Sequence, residues 1–253
     1  VLKNERDHHL QNRNNSRVVV VGATSSLARA MCHVLAARGH ALMLVGRDEG
    51  ELELQAADIG IRHGMPCNVM VSDITEDTFS AVQLVRSLGH FDEMVIALGY
   101  LSTDSSDMQA DIAYTSHINY LVPALIAQEA CEQLAKKQGG KVTIISSVAG
   151  DRGRQSNYPY GAAKAAITAF ASGLRNRFAK QGVHVMTVKP GFIDTPMTWG
   201  MKSPLIASPE YVARKIVDAV EKNKDMIYVP FFWQFIMLII CNIPERIFKK
   251  LSL

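Results

Sequence analysis

The sequence predicts an α/β fold: a doubly wound, Rossmann-type domain in which a parallel seven-stranded sheet carries helices on both faces. Three observations predict it. Short, wholly apolar runs recur along the chain, and helical periodicity separates them. The runs do not alternate apolar with polar residues, so both faces of the sheet are buried, as in parallel sheets. At 253 residues the chain has room for one such domain with a large core.

The elements follow in order. Residues 1–16 are polar and charged, lack the apolar stretch of a signal peptide, and read as a flexible tail. "RVVVV" (17–21) is the first strand, ending at Gly22. Leu27, Ala30, Met31, Val34 and Leu35 then repeat at helical spacing, and Gly39 closes that helix. "ALMLV" (41–45) is the second strand, followed by a charged helix from about Asp48 to Ile59. "CNVMV" (67–71) and "DEMVIAL" (92–98) are the third and fourth strands. A long helix covers roughly 109–137 and ends at Gly139-Gly140. "KVTIIS" (141–146), a helix from about Pro159 to Lys180, "VHVMTV" (183–188), a helix from Pro209 to about Asn223 and "MIYV" (226–229) complete the pattern. No repeat or internal linker interrupts it. The reading is one catalytic domain over 17–230 with an extension over 231–253.

Composition excludes several classes. A net charge of +3 does not suit a nucleic-acid partner. The four cysteines are far apart and form no CxxC pair, which suits free thiols in a reducing, cytoplasmic compartment. The eight histidines show no metal-ligand spacing, so no metal is expected.

In this fold ligands bind at the carboxyl ends of the strands. The first strand-to-helix turn, "GATSSLA" (22–28), presents Gly22, Thr24, Ser25, Ser26 and Leu27 to a pyrophosphate at the helix N-terminus. Of the three glycines usual in such a turn only Gly22 is present; Ser26 and Ala28 stand at the others. After the second strand come Gly46 and Arg47, where an NAD binder commonly has an acid. An arginine there suits a 2′-phosphate, so NADP(H) is favoured with NAD(H) retained; a solvated surface charge is the bland alternative. Asp73 and Ile74 follow the third strand, where Asp73 meets adenine or caps a helix. Ala97 and Gly99 follow the fourth, Gly99 leaving room for the cofactor.

Tyr160 and Lys164 share one helical face, so the ammonium lies near the phenol and favours its ionised form. That moves a group of reference pKa near 10 towards the range a general acid needs. Ser147 stands just beyond the fifth strand, and Asn119 lies inside the long helix, where asparagine is a mediocre helix former. A strand-end cap and a core amide are the bland readings of these two.

Together "GATSSLA", Asp73, "ALG" (97–99), Asn119, "ISS" (145–147), "YGAAK" (160–164) and "PGFIDT" (190–195) resemble the short-chain dehydrogenase/reductase family over about residues 17–230. The chain departs from it in its single turn glycine and in "IALG" (96–99) where "NNAG" is common. The resemblance implies that Tyr160 protonates a keto oxygen as hydride arrives from the nicotinamide. Lys164 tunes it and holds the ribose, Ser147 bonds the substrate oxygen, and Asn119 anchors a relay water. Pro190, Gly191, Ile193 and Thr195 flank the nicotinamide, and a homo-oligomer is implied.

Arg152 and Arg154 lie between Ser147 and Tyr160, as solvated charges or as ligands of an anionic substrate group. Residues 231–243 form an apolar segment bounded by Pro230 and Pro244, short of the about 20 residues a spanning helix needs. After it, Ile243, Ile247, Phe248 and Leu251 share a face beside Arg246, Lys249 and Lys250, which suits an anionic membrane surface; packing on the domain or across a dimer is the alternative. Segments 146–164, 188–198 and 228–251 are further similar to a subgroup of bacterial short-chain reductases that includes the decaprenylphosphoryl-2-keto-erythro-pentose reductase. This implies a keto-sugar linked through phosphate to a polyprenyl chain, met at the inner face of the cytoplasmic membrane. A reductase of a small or carrier-bound ketone, and a non-catalytic dinucleotide sensor, are the competing readings.

Overall fold

Val18, Val19, Val20 and Val21 are all buried, and the strand they form, β1 (Arg17–Val21), lies inside the sheet between β2 and β4. The computed structural model describes residues 16–75, 79–102 and 107–251; nearly all of the tail expected over 1–16 lies outside them. The remaining strands are β2 (Ala41–Gly46), β3 (Cys67–Val71), β4 (Glu93–Ile96), β5 (Gly140–Ile145), β6 (Val183–Pro190) and β7 (Met226–Val229). All pair in parallel, in the order β3-β2-β1-β4-β5-β6-β7. The seven strands match the apolar runs. β4 is shorter than expected, because Ala97 to Gly99 leave the ladder at its carboxyl end.

Helices cover both faces. α1 (Ser26–Ala37), α2 (Glu49–His63) and α7 (Pro209–Glu221) enclose one apolar cluster with Val18 and Val20. α3 (Ala81–Ser87), α5 (Val122–Lys136) and α6 (Tyr158–Phe178) enclose the other with Val19 and Val21, and α4 (Met108–Ser116) packs on α6. Caps set the starts: Ser25 accepts from the Ala28 amide, Asp48 from Glu51 and Ser208 from Tyr211. α2 runs to His63, past the expected Ile59, and stops at Gly64 in the left-handed region. The seven-residue α3 was not expected at all. The long helix over 109–137 is two helices, joined by a π-helical turn over His117–Leu121.

The extension folds back on the domain. It forms α8 (Trp233–Asn242) and the four-residue α9 (Glu245–Phe248). Trp233 and Met237 join Val148 in a third apolar cluster, with Phe192, Phe232, Ile236 and Ile240 against it. Burying such side chains is worth about 1.5–3 kcal/mol each, enough to hold a ten-residue helix in place. The opposite side of α8 shows Phe235, Leu238 and Ile239 to solvent, beside Phe231. Among the described residues no helix is long and apolar enough to cross a membrane.

Leu134 of α5 is fully buried in the second cluster. We expect Leu134→Ala to cost about 2–5 kcal/mol, read as a lower urea midpoint at unchanged slope.

Candidate active site

β1 and β4 are neighbours, but the chain leaves β1 towards β2 on one side and reaches β4 only after crossing back. A crevice opens at such a switch point, above the carboxyl ends of the strands. Gly22 sits at its base with φ +78°, a conformation that disfavours any Cβ. A Cβ there would also fall 2.9 Å from the Ala97 carbonyl oxygen, so the one glycine kept in the turn is the one the close strands require. Next to it Ser25, not Ser26, caps α1.

The crevice has two chambers, of about 260 and about 340 Å³, that share Thr24, Ser25, Ala97, Leu98 and Gly99. The smaller is lined by Gly22, Arg47, Asp73 and Ile74; the larger by Ser26, Leu27, Ser147, Tyr160, Lys164, Pro190, Gly191, Ile193 and Thr195. Every residue expected to contact the cofactor therefore lines one continuous cleft. Thr24 and Ser25, shared by both chambers, place the α1 N-terminus where the pyrophosphate of a dinucleotide would lie, and the exposed Arg47 lines the smaller chamber. Asp73 accepts from the Thr75 amide at 2.9 Å and hydroxyl at 2.7 Å, which holds its carboxyl below the usual range. At Gly99 a Cβ would make only ordinary contacts, 3.7 Å from Asn119 Oδ1 and 3.9 Å from Lys164 Nζ, so the protein itself does not demand glycine there. Leu98, Tyr100, Tyr114, Ile118, Met197 and Thr198 also line the cleft and were not expected. The first two could have been found from their place at the end of β4.

Asn119 is fully buried in the π-helical turn, behind Gly99. Its Nδ2 donates to the carbonyls of Tyr100 (2.8 Å) and Thr115 (3.0 Å), and its Oδ1 accepts from the Tyr100 amide (3.1 Å). The side chain thus fixes the segment leaving β4 to the helix that carries it. A π-helical turn inside an α-helix is a frequent mark of a functional site.

Ser147 begins a short 3-10 turn over Val148–Gly150 and accepts from the Ala149 amide at 3.1 Å. The first turns of α6 press directly on it. A Cβ at Gly150 would lie 2.7 Å from the Ala165 nitrogen and 2.7 Å from the Lys164 carbonyl carbon. This contact sets Tyr160 beside Ser147, whose hydroxyl is hydrogen-bonded to the phenol. Burial pushes the Tyr160 phenol up, and the bond to Ser147 pulls it partly back. Lys164 is 2% exposed, and its Nζ donates to the Leu98 (3.2 Å) and Ile145 (3.1 Å) carbonyls, 5.7 Å from the Tyr160 ring centre. Desolvation pushes its ammonium down to about 8. In the protein alone the phenol is therefore shifted up by burial, and not down as expected from a neighbouring Lys164, which favours the protonated form.

Arg152 and Arg154 do not line the cleft. The Arg152 guanidinium donates to the carbonyls of Ile240 (2.6 Å) and Ile243 (2.6 Å) and to Glu245 (2.9 Å), and lies 3.7 Å from the Phe248 ring centre. Arg154 Nη2 reaches Met237 Sδ at 3.3 Å, and burial pushes this guanidinium down. Both face the extension, which packs on the domain. Among the described residues no group of three or more His, Cys, Asp or Glu is placed to hold a metal ion. All four cysteines are free thiols.

The short chain dehydrogenase family model matches residues 16–205. An uncharacterized oxidoreductase of Mycobacterium tuberculosis is 28% identical over 92% of this chain and 96% of its own. An uncharacterized oxidoreductase of Staphylococcus epidermidis is 32% identical over 80% of this chain and 87% of its own. Among solved structures, a short chain dehydrogenase from Burkholderia cenocepacia in complex with NADP shares the fold at TM-score 0.79 and 20% identity, over 95% of this chain and 98% of that one.

The depressed Lys164 ammonium has a stability consequence. Between about 8 and the ordinary value of 10.5 the unfolded chain binds this proton and the folded chain does not, so the group adds stability as pH rises across that window. We expect the urea midpoint of the cofactor-free protein to gain on that of Lys164→Met from pH 8 to 10; parallel curves would contradict this.

Proposed function

Because the chain belongs to the short-chain dehydrogenase/reductase family of NAD(P)-dependent oxidoreductases, we propose that it reduces a keto group to a secondary alcohol with NADPH, Tyr160 acting as the general acid. The observation that carries this is the convergence of Ser147, Tyr160 and Lys164 on the larger of two chambers that share Thr24, Ser25, Ala97, Leu98 and Gly99. When bound, the dinucleotide supplies hydride to the carbonyl carbon. Tyr160 gives its phenolic proton to the carbonyl oxygen, and Ser147 donates a hydrogen bond to that oxygen as negative charge develops. Lys164 keeps one donor beyond the Leu98 and Ile145 carbonyls for the nicotinamide ribose. Asn119 has acceptor capacity left on Oδ1 for a relay water. Gly46 and Arg47, in place of an acid, support NADPH over NADH.

For the substrate, the reading is a keto-sugar linked through phosphate to a lipid, met at the inner membrane surface by a homo-oligomer. Its support is the apolar outer side of α8 beside the exposed Arg246, Lys249 and Lys250. Arg152 and Arg154 lend it none, since both are engaged with the extension.

Tyr160→Phe is expected to leave NADPH affinity within about twofold and to lower turnover by at least about a hundredfold; substantial residual reduction would remove Tyr160 from its role. Arg47→Glu is expected to weaken NADPH at least about tenfold while leaving NADH nearly unchanged, measured by fluorescence titration. Turnover of a polyprenyl-phosphate keto-pentose, set against an acetoacetyl thioester, tests the substrate class. Faster turnover of the thioester would favour a carrier-bound ketone.

A further inference from the structure

The two loops that face each other across the larger chamber share one support. The loop after Ser147 is tied to the extension by Arg152, whose guanidinium donates to the carbonyls of Ile240, Cys241 and Ile243 at the end of α8. The same guanidinium stacks on Phe248 and pairs with Glu245. Beside it Asp151 accepts from Lys189 Nζ at 2.5 Å and from the Tyr228 hydroxyl at 2.8 Å, with Lys189 and Asp151 only 9% and 10% exposed. The loop after β6 meets α8 through Trp233. A Cβ at Gly191 would fall 1.9 Å from Trp233 Nε1, so the indole lies directly against the Gly191 backbone. The Phe192 ring meets that indole edge to face at 5.0 Å. Val148 completes the contact from the Ser147 side.

We infer that α8 is a working part of the reducing site, and that Arg152 and Trp233 are positioning residues holding the Ser147 loop and the Gly191 loop in register across the cleft. The inference rests on Ser147 and Tyr160 performing the reduction. Neither Arg152 nor Trp233 lines the cleft, so both act through the loops they hold. Lysine cannot replace Arg152: a single ammonium does not span three carbonyls and a carboxylate while stacking on a ring.

The test uses the full chain and its Arg152→Ala, Arg152→Lys and Trp233→Phe variants, with Tyr160→Phe as control. Steady-state reduction of a polyprenyl-phosphate keto-pentose or an acetoacetyl thioester is measured against pH, with NADPH affinity by fluorescence and amide hydrogen exchange by mass spectrometry. Arg152→Ala should lower kcat about tenfold or more with NADPH affinity within about twofold. Arg152→Lys should not restore it, and millimolar guanidinium should restore part. The basic limb of kcat should move to higher pH, because a displaced Ser147 no longer lowers the phenol pKa. Exchange should quicken in 147–157 and 190–195 as well as in the extension; for Trp233→Phe it should quicken in 190–195. Unchanged kcat and pH profile with only a lower Tm, or faster exchange confined to 231–251, overturns the inference. If Tyr160→Phe still turns over, the assignment of the acid fails instead, and hydrogen exchange alone then decides whether the loops depend on α8.

Discussion

The site depends on one contact: the first turns of α6 pressed against the turn that follows β5. At Gly150 there is no room for a single additional carbon between that turn and the α6 backbone. The contact brings together residues from two elements that would otherwise only be neighbours. Ser147 comes from the end of a strand, and Tyr160 and Lys164 from a helix. A phenol and a hydroxyl held by packed backbone lose little freedom when substrate arrives, which is the condition for strong electrostatic stabilisation in a transition state. Ser146 strengthens the same joint from within, donating to the Lys164 carbonyl at 3.0 Å.

The ionisable groups follow from that packing. A buried lysine and a buried tyrosine both favour their neutral forms, and here both do. A neutral tyrosine is the form that can give a proton. The lysine is held by two backbone carbonyls, so its position does not require a carboxylate partner. Asn119 serves the opposite wall with three hydrogen bonds to backbone, consistent with the rule that polar groups are buried only when bonded. Asn119 thereby ties the segment leaving β4 to its helix by amide chemistry.

Much of this was legible in the chain. Seven apolar runs announced seven strands, because a sheet covered on both faces leaves no strand position for polar side chains except near its edges. The Tyr160–Lys164 spacing and Ser147 were visible because helical periodicity and strand ends are local. What escaped was either short or distant. Seven residues of α3 hold fewer than two turns, too few for periodicity to register. The π-helical turn at Asn119 interrupts no apolar pattern. Arg152 reads locally as a solvated charge or as a ligand for an anion, because its partners lie 88 to 93 residues away. Nothing in the local sequence says that a helix end will arrive there. Residues 231–243 read as apolar on every side, and only the fold separates the packed side of α8 from its open one.

That separation alters how the end of the chain should be regarded. Phe235, Leu238 and Ile239 on one side of α8 lie a single helix diameter from Trp233 and Met237 on the other. Whatever settles on the outer side therefore pushes on a lever whose short arm is the Gly191 backbone. A deletion from residue 231 onwards would remove a wall as well as an anchor, and loss of activity in such a truncated protein would say little about where it binds. Polar replacement of the three outward side chains leaves the wall standing and isolates the surface.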